Sequence, residues 1–214
     1  MTEESSGRLP EPAVDTIAAV ATAPGPGAVA LVRLSGGRSL EILDALAPDR
    51  DGTTPPRSPR LLRIREPRSG ELLDGALVTT FRSPHSYTGE DMVEISCHGG
   101  WLVPRLILEA CLACDARRAD PGEFTRRAVL HGKMDLVQAE AVLDLVEGRS
   151  RALHGAAVFQ LERGLSLRIA ELREEFIGLE AYLSHHIDFP EEDEAPVPLD
   201  KVLAAASGLR DRLG

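Results

Sequence analysis

The sequence predicts an α+β protein: a mixed α/β amino-terminal domain followed by a partial α-helical domain. Three observations carry that prediction. Short β-compatible runs separated by Pro/Gly turns fill residues 14–98. Strand signals stop after about residue 115, and helical periodicity takes over. Charge divides at nearly the same place: residues 1–133 carry 16 Lys+Arg against 18 Asp+Glu, whereas residues 134–214 carry 8 against 16.

Residues 1–13 read as a flexible tail. Val14 to Ala23 is small and apolar, and Pro24-Gly25-Pro26-Gly27 breaks it. Ala28 to Leu34 reads as a buried strand, so the two form a strand–turn–strand unit. Ser35-Gly36-Gly37 ends that strand. Leu40, Ile42, Leu43 and Leu46 recur at helical spacing and predict a short helix over 38–46. Residues 47–60 are rich in proline and polar residues and read as an exposed loop. Leu61 to Glu66 and Glu71 to Phe81 flank Pro67-Arg68-Ser69-Gly70 and predict a hairpin. Residues 82–90 form a second loop before a strand over 91–98. An amphipathic helix follows from about Leu102 to Cys114.

Domain boundaries are expected at 14–132 for the amino-terminal domain and 133–214 for the helical portion. Asp135 and Gln138 have capping-box spacing, predicting a helix from there to about Glu147. Leu161, Leu165, Ile169, Leu172, Phe176, Leu179 and Leu183 make one apolar stripe, predicting a single long helix over about 151–187. Pro190 and the acidic run Glu191 to Glu194 break it. A further helix is expected over Lys201 to Leu213.

Composition excludes several classes. The chain of 214 residues is 43% hydrophobic and 27% charged, too apolar for a disordered polymer. No apolar run approaches the ~20 residues that span a bilayer, so no membrane association is expected. The first twelve residues have neither a basic start nor an apolar segment, which predicts no secretory leader and a cytoplasmic protein. The three cysteines fit a reduced compartment. Cys111-x-x-Cys114 lies in a helix with no second pair at zinc spacing, so no metal site is expected. A net charge of −10 argues against a chain built to coat nucleic acid. Arg117, Arg118, Arg126 and Arg127 form a local basic cluster, diluted by Asp115, Asp120 and Glu123. It reads as an interface, a solvated surface or a nucleic-acid groove.

Three residues stand out as candidate binding groups. On the strand over 91–98, Val93, Ile95 and Cys97 share one face, while Met92, Glu94, Ser96 and His98 share the other. Glu94 is either a solvated strand glutamate or a carboxylate that pairs the N–H donors of a planar ligand. Arg33 lies late in an apolar strand and requires an anionic partner, internal or from a ligand. Lys133 precedes a helix start, where its cation either meets an anionic ligand or stays in solvent.

The motifs extend this reading. Asp15-Thr16-Ile17-Ala18-Ala19, Val32-Arg33-Leu34-Ser35-Gly36 and Pro84-His85-Ser86-Tyr87-Thr88-Gly89-Glu90-Asp91 resemble stretches of the tRNA modification GTPases known as MnmE or TrmE. So do Cys97-His98-Gly99-Gly100, Ala119-Asp120-Pro121-Gly122-Glu123-Phe124-Thr125, Gly132-Lys133-Met134-Asp135-Leu136 and Ile187-Asp188-Phe189-Pro190-Glu191-Glu192. The blocks fall in family order from about 14 to 194. The family commonly has Pro-Pro-Gly-Arg-Gly where this chain has Ala23-Pro24-Gly25-Pro26-Gly27.

The resemblance implies an amino-terminal domain that dimerises and binds a 5-formyl-tetrahydrofolate-type one-carbon donor. The family's folate contacts fall on Arg33, Glu94 and Lys133. It implies a flavoprotein partner, MnmG (GidA). With that partner the family adds a carboxymethylaminomethyl-type group to carbon 5 of the wobble uridine of tRNA. No Walker-type loop, Asn-Lys-x-Asp motif or Cys-x-Gly-Lys motif is present. The expectation is therefore a fragment that does not hydrolyse GTP, with GTP, Mg2+ and K+ belonging to the family's GTPase domain. Two alternatives remain: a dimerisation or docking module without folate binding, and a folate-dependent aminomethyltransferase-like protein.

Overall fold

A computed structural model describes residues 15–51, 55–188 and 198–213. The expected tail at 1–13, Pro190 and the acidic run 191–194 lie outside the described residues. The chain divides into two compact units, residues 1–134 and 135–214.

The first unit is built on one six-stranded sheet. Its strands are β1 (Ile17–Val20), β2 (Val29–Ser35), β3 (Arg60–Arg65), β4 (Leu72–Phe81), β5 (Met92–His98) and β6 (Arg117–Arg118). They lie in the order β3-β4-β5-β2-β1-β6. All neighbours are antiparallel except β1 and β6, which are parallel. Two helices, α1 (Ser39–Leu46) and α2 (Val103–Ala113), complete the core. Period-two alternation sends Ala30, Val32 and Leu34 of β2 and Val93, Ile95 and Cys97 of β5 to one face. That face packs with Ile42, Leu43 and Leu46 of α1 and Ile107, Leu108 and Cys111 of α2.

The second face of the sheet grades from buried to open along its strands. Ile17, Ser35 and Met92 form a fully covered row. Next come Ala19, Arg33, Glu94 and Thr79, all half-buried. Beyond them Val29 and Leu77 are exposed. The cover at the buried end is the 82–91 loop together with α3 (Glu123–Leu130).

Neither α3 nor β6 is foreseen by hydrophobic pattern. The buried residues of α3 are Glu123, Arg127 and Ala128, so two of its three inward positions are charged. Two-residue β6 is too short to alternate. The expected 14–23 strand is also shorter in fact, because residues 21–23 already belong to the turn.

The second unit contains α4 (Leu136–Glu147), α5 (Arg151–Leu161), α6 (Gly164–Asp188) and α7 (Leu199–Leu213). Asp135 accepts from the Gln138 N–H, and the Gln138 side chain accepts from the Asp135 N–H, completing the capping box. Small residues Ala141 and Ala157 are buried on α4 and α5, allowing close helix approach. The single helix expected over 151–187 is two helices. Arg163 adopts a left-handed φ of 66°, and the Phe159 ring packs over Gly164, where a Cβ would lie 2.3 Å from it. Leu161 and Leu165 keep helical spacing across the break, which hides it from a periodicity reading.

Candidate functional site

Strand register places two of the three predicted residues together. Arg33 of β2 stands opposite Glu94 of β5. Arg33 Nε and Nη2 both donate to Glu94 Oε1, at 3.0 and 2.6 Å. The anionic partner that Arg33 requires is thus Glu94 itself. Each side chain is 22% exposed, so the pair is neither sealed nor free. Arg33 Cζ lies over the Tyr87 ring at 5.3 Å from its centroid and over the Phe124 ring at 5.6 Å. Both distances are within cation–π range.

Lys133 is exposed and donates from Nζ to the Pro84 carbonyl at 2.9 Å. It makes no ion pair among the described residues. It is thereby tied to the same 82–91 loop that supplies Tyr87. Gly89 makes this approach possible. Its φ is 81°, and a Cβ there would meet His131 Cβ at 2.9 Å and Lys133 Cγ at 3.3 Å. His131 Nδ1 also pairs with the Thr88 carbonyl at 2.8 Å.

The loop and α3 are locked by a buried charge network. Arg127 is 2% exposed. Its Nη1 donates to the Asp15 carbonyl and to Glu90, and its Nη2 to Asp15 Oδ1 and Glu123 Oε1. Arg117 also donates to both Glu123 oxygens and to Asp15. These bonds from Arg117, with the Asp120 N–H and Arg127, hold the Glu123 carboxyl down at about 2 despite burial. The hydrogen bond from Arg117 likewise lowers Asp15 against burial. Glu90 reaches Ser35, which also bonds Thr88. Three of the four arginines of the basic cluster therefore meet the Glu123 carboxylate: Arg117 at 2.7 Å, Arg127 at 3.3 Å and exposed Arg126 at 3.4 Å.

Several other groups are placed by the fold. His98 Nδ1 pairs with Asp74 at 2.8 Å on an exposed strand end. Burial pushes the Cys111 thiol up to about 12 and Cys97 to about 11, so neither is a ready thiolate. A cavity of about 530 Å3 lies between the 22–27 turn and the start of α2, beside Trp101 and Arg105. None of Arg33, Glu94 and Lys133 lines it.

Tyr87, Phe124 and the Arg127 network are site features that a residue-by-residue reading passes over. The one available signal is scarcity. The chain has one Trp, two Tyr and five Phe, and Tyr87 and Phe124 sit inside two of the motif blocks.

The sheet domain that carries this half-buried carboxylate–guanidinium pair, and the helices that follow it in sequence, each match a known family. Residues 16–133 match the GTP-binding protein TrmE N-terminus, and residues 136–214 match the MnmE helical domain. The chain belongs to the MnmE family of tRNA modification GTPases. A tRNA modification GTPase MnmE of Moorella thermoacetica is 48% identical over 182 residues, covering 83% of this chain and 39% of that protein. The Akkermansia muciniphila protein of that name is 43% identical over 199 residues, covering 92% and 44%. That of Alkaliphilus metalliredigens is 40% identical over 203 residues, covering 93% and 44%. The chain spans about two-fifths of the length of these relatives. No helix among the described residues is long and apolar enough to cross a membrane.

Proposed function

We propose that residues 14–132, with Lys133, form a folate-binding and dimerisation domain. It takes a 5-formyl-tetrahydrofolate-type one-carbon donor at Arg33, Glu94 and Lys133. One observation supports this above the others: a carboxylate and a guanidinium are held at partial exposure beside two aromatic rings. A reduced pterin is flat and bears adjacent N–H donors, which a carboxylate accepts. Its carbonyl and carboxylate groups suit the two cations. Glu94 is the proposed anchor of the ring, with Arg33 and Lys133 as counter-charges. Residues 133–214 are proposed as part of the helical domain.

In the whole protein the bound donor would supply the one-carbon unit for a carboxymethylaminomethyl-type group. That group would be installed at carbon 5 of the wobble uridine of tRNA, in the cytoplasm, with the flavoprotein MnmG (GidA). GTP, Mg2+ and K+ are assigned to a GTPase domain of the whole protein. Calorimetry with 5-formyl-tetrahydrofolate tests the local claim. Binding by the unsubstituted chain that is lost in Glu94→Gln and Lys133→Ala supports it. A folded chain that gives no heat with the folate removes it.

A second reading has its own support. Val29, Leu61 and Leu77 are exposed by 65%, 76% and 45%, on the open part of the second sheet face. Apolar exposure of this kind suits a docking surface, so the domain would serve dimerisation without folate. Sedimentation showing a dimer that binds no folate would favour that reading.

A further inference from the structure

The two rings beside Arg33 have a consequence for what the site recognises. A guanidinium is planar, weakly hydrated, and carries N–H donors along one edge. Arg33 presents that edge to Glu94 Oε1, and its Cζ lies over the Tyr87 and Phe124 rings. Glu94 Oε2 accepts no hydrogen bond among the described residues. The surroundings of Arg33 are therefore two aromatic faces and a carboxylate with acceptor capacity to spare. That same set suits a flat heterocycle with an amidine-type edge.

Both rings sit on elements that are fixed to each other. Tyr87 Oη and Thr125 Oγ1 are 2.9 Å apart, joining the loop to α3. Arg127 fixes both elements through Glu90 and Glu123. Rings anchored this way lose little freedom when a ligand stacks on them.

We infer that Tyr87 and Phe124 are ring-stacking, specificity-determining residues of the site, holding the bicyclic ring of a reduced folate beside Glu94 on the surface that the Arg33 guanidinium now shares. This rests on the folate reading above and adds two residues to it. The bland alternative is that both rings merely clamp Arg33.

The test is titration with 5-formyl-tetrahydrofolate, followed by heat and by the absorption of the ligand ring. Tyr87→Leu and Phe124→Leu should each weaken binding about tenfold, the usual worth of one stacked ring. Tyr87→Phe keeps the stacking face and loses only the Thr125 contact, so it should weaken binding clearly less than Tyr87→Leu. The ligand's absorption should change on binding to the unsubstituted chain, a reading that needs no variant to fold. Binding with unperturbed ring absorption, or leucine variants within twofold of the unsubstituted chain, overturns the stacking role and leaves the folate reading standing. Absence of binding by the unsubstituted chain overturns both.

Discussion

Two arginines of the first unit meet carboxylates in opposite ways. Arg127 is sealed and serves Asp15, Glu90 and Glu123 at once. Arg33 serves Glu94 alone among the described residues, keeps 22% of its side chain exposed, and lies against two rings. The first arrangement commits both terminal nitrogens of Arg127, leaving only its buried Nε without a partner among the described residues, and holds the loop, α3 and the residue preceding Thr16 together. The second leaves an acceptor and two aromatic faces within reach of solvent. Burial and the number of partners, not residue type, separate a structural guanidinium from a candidate binding one.

The largest expected effect breaks the sealed site. Arg127→Met strips Glu90 of its cation and leaves Asp15 and Glu123 to Arg117, which bonds both from a more exposed position. Removing one partner of a buried ion pair costs about 3–5 kcal/mol. Urea denaturation should show the first unit losing about that much stability, while Arg33→Gln loses far less.

Acid attacks the same network. The Glu123 carboxyl is depressed to about 2 and Asp15 is lowered too. For a depressed carboxyl the stabilisation is complete above its unfolded value, near 4.5. It disappears as pH falls through the folded value. Stability should therefore drop between about pH 5 and pH 2, by on the order of 2 kcal/mol. Glu123→Gln should remove most of that slope in melts recorded across the range.

The contrast also explains what was legible in the sequence. Alternation along β5 placed Glu94 on the face away from Val93, Ile95 and Cys97, and that held because those three are the core side of the strand. Arg33 stood out only as a cation in an otherwise apolar strand, since Val29 and Leu31 share its parity and blur the alternation of β2. The capping box of α4 was legible because it is local, needing only Asp135 and Gln138. The Arg127 network was not, because its members are up to 112 residues apart and its helix turns charge inward. Sequence pattern treats buried charge as surface. Nor could spacing reveal that the partner of Arg33 is Glu94, 61 residues away, since that depends on strand register. The break at Arg163 stayed hidden because the apolar spacing runs through it.

A smaller effect is expected at the rim of the sealed site. Ser35 is fully buried and lies 2.6 Å from both Thr88 Oγ1 and Glu90 Oε2. Ser35→Ala leaves those groups short of a partner, at a cost of about 1–3 kcal/mol. Thermal melts should place this variant between Arg127→Met and any substitution at Arg33.

The smallest expected effect sharpens the comparison most. A double-mutant cycle on Arg33→Gln and Glu94→Gln should give a coupling near 0.5–1 kcal/mol, as for pairs open to solvent. The equivalent cycle on Arg127→Met and Glu123→Gln should give a clearly larger coupling, because both groups there are cut off from water. If the two couplings prove equal, partial exposure does not separate the sites, and Arg33 and Glu94 are as structural as the hub. If the Arg33–Glu94 coupling is small, the pair adds little to folding. Its 2.6 Å contact can then open for a ligand at a cost that the two rings and Glu94 are able to offset.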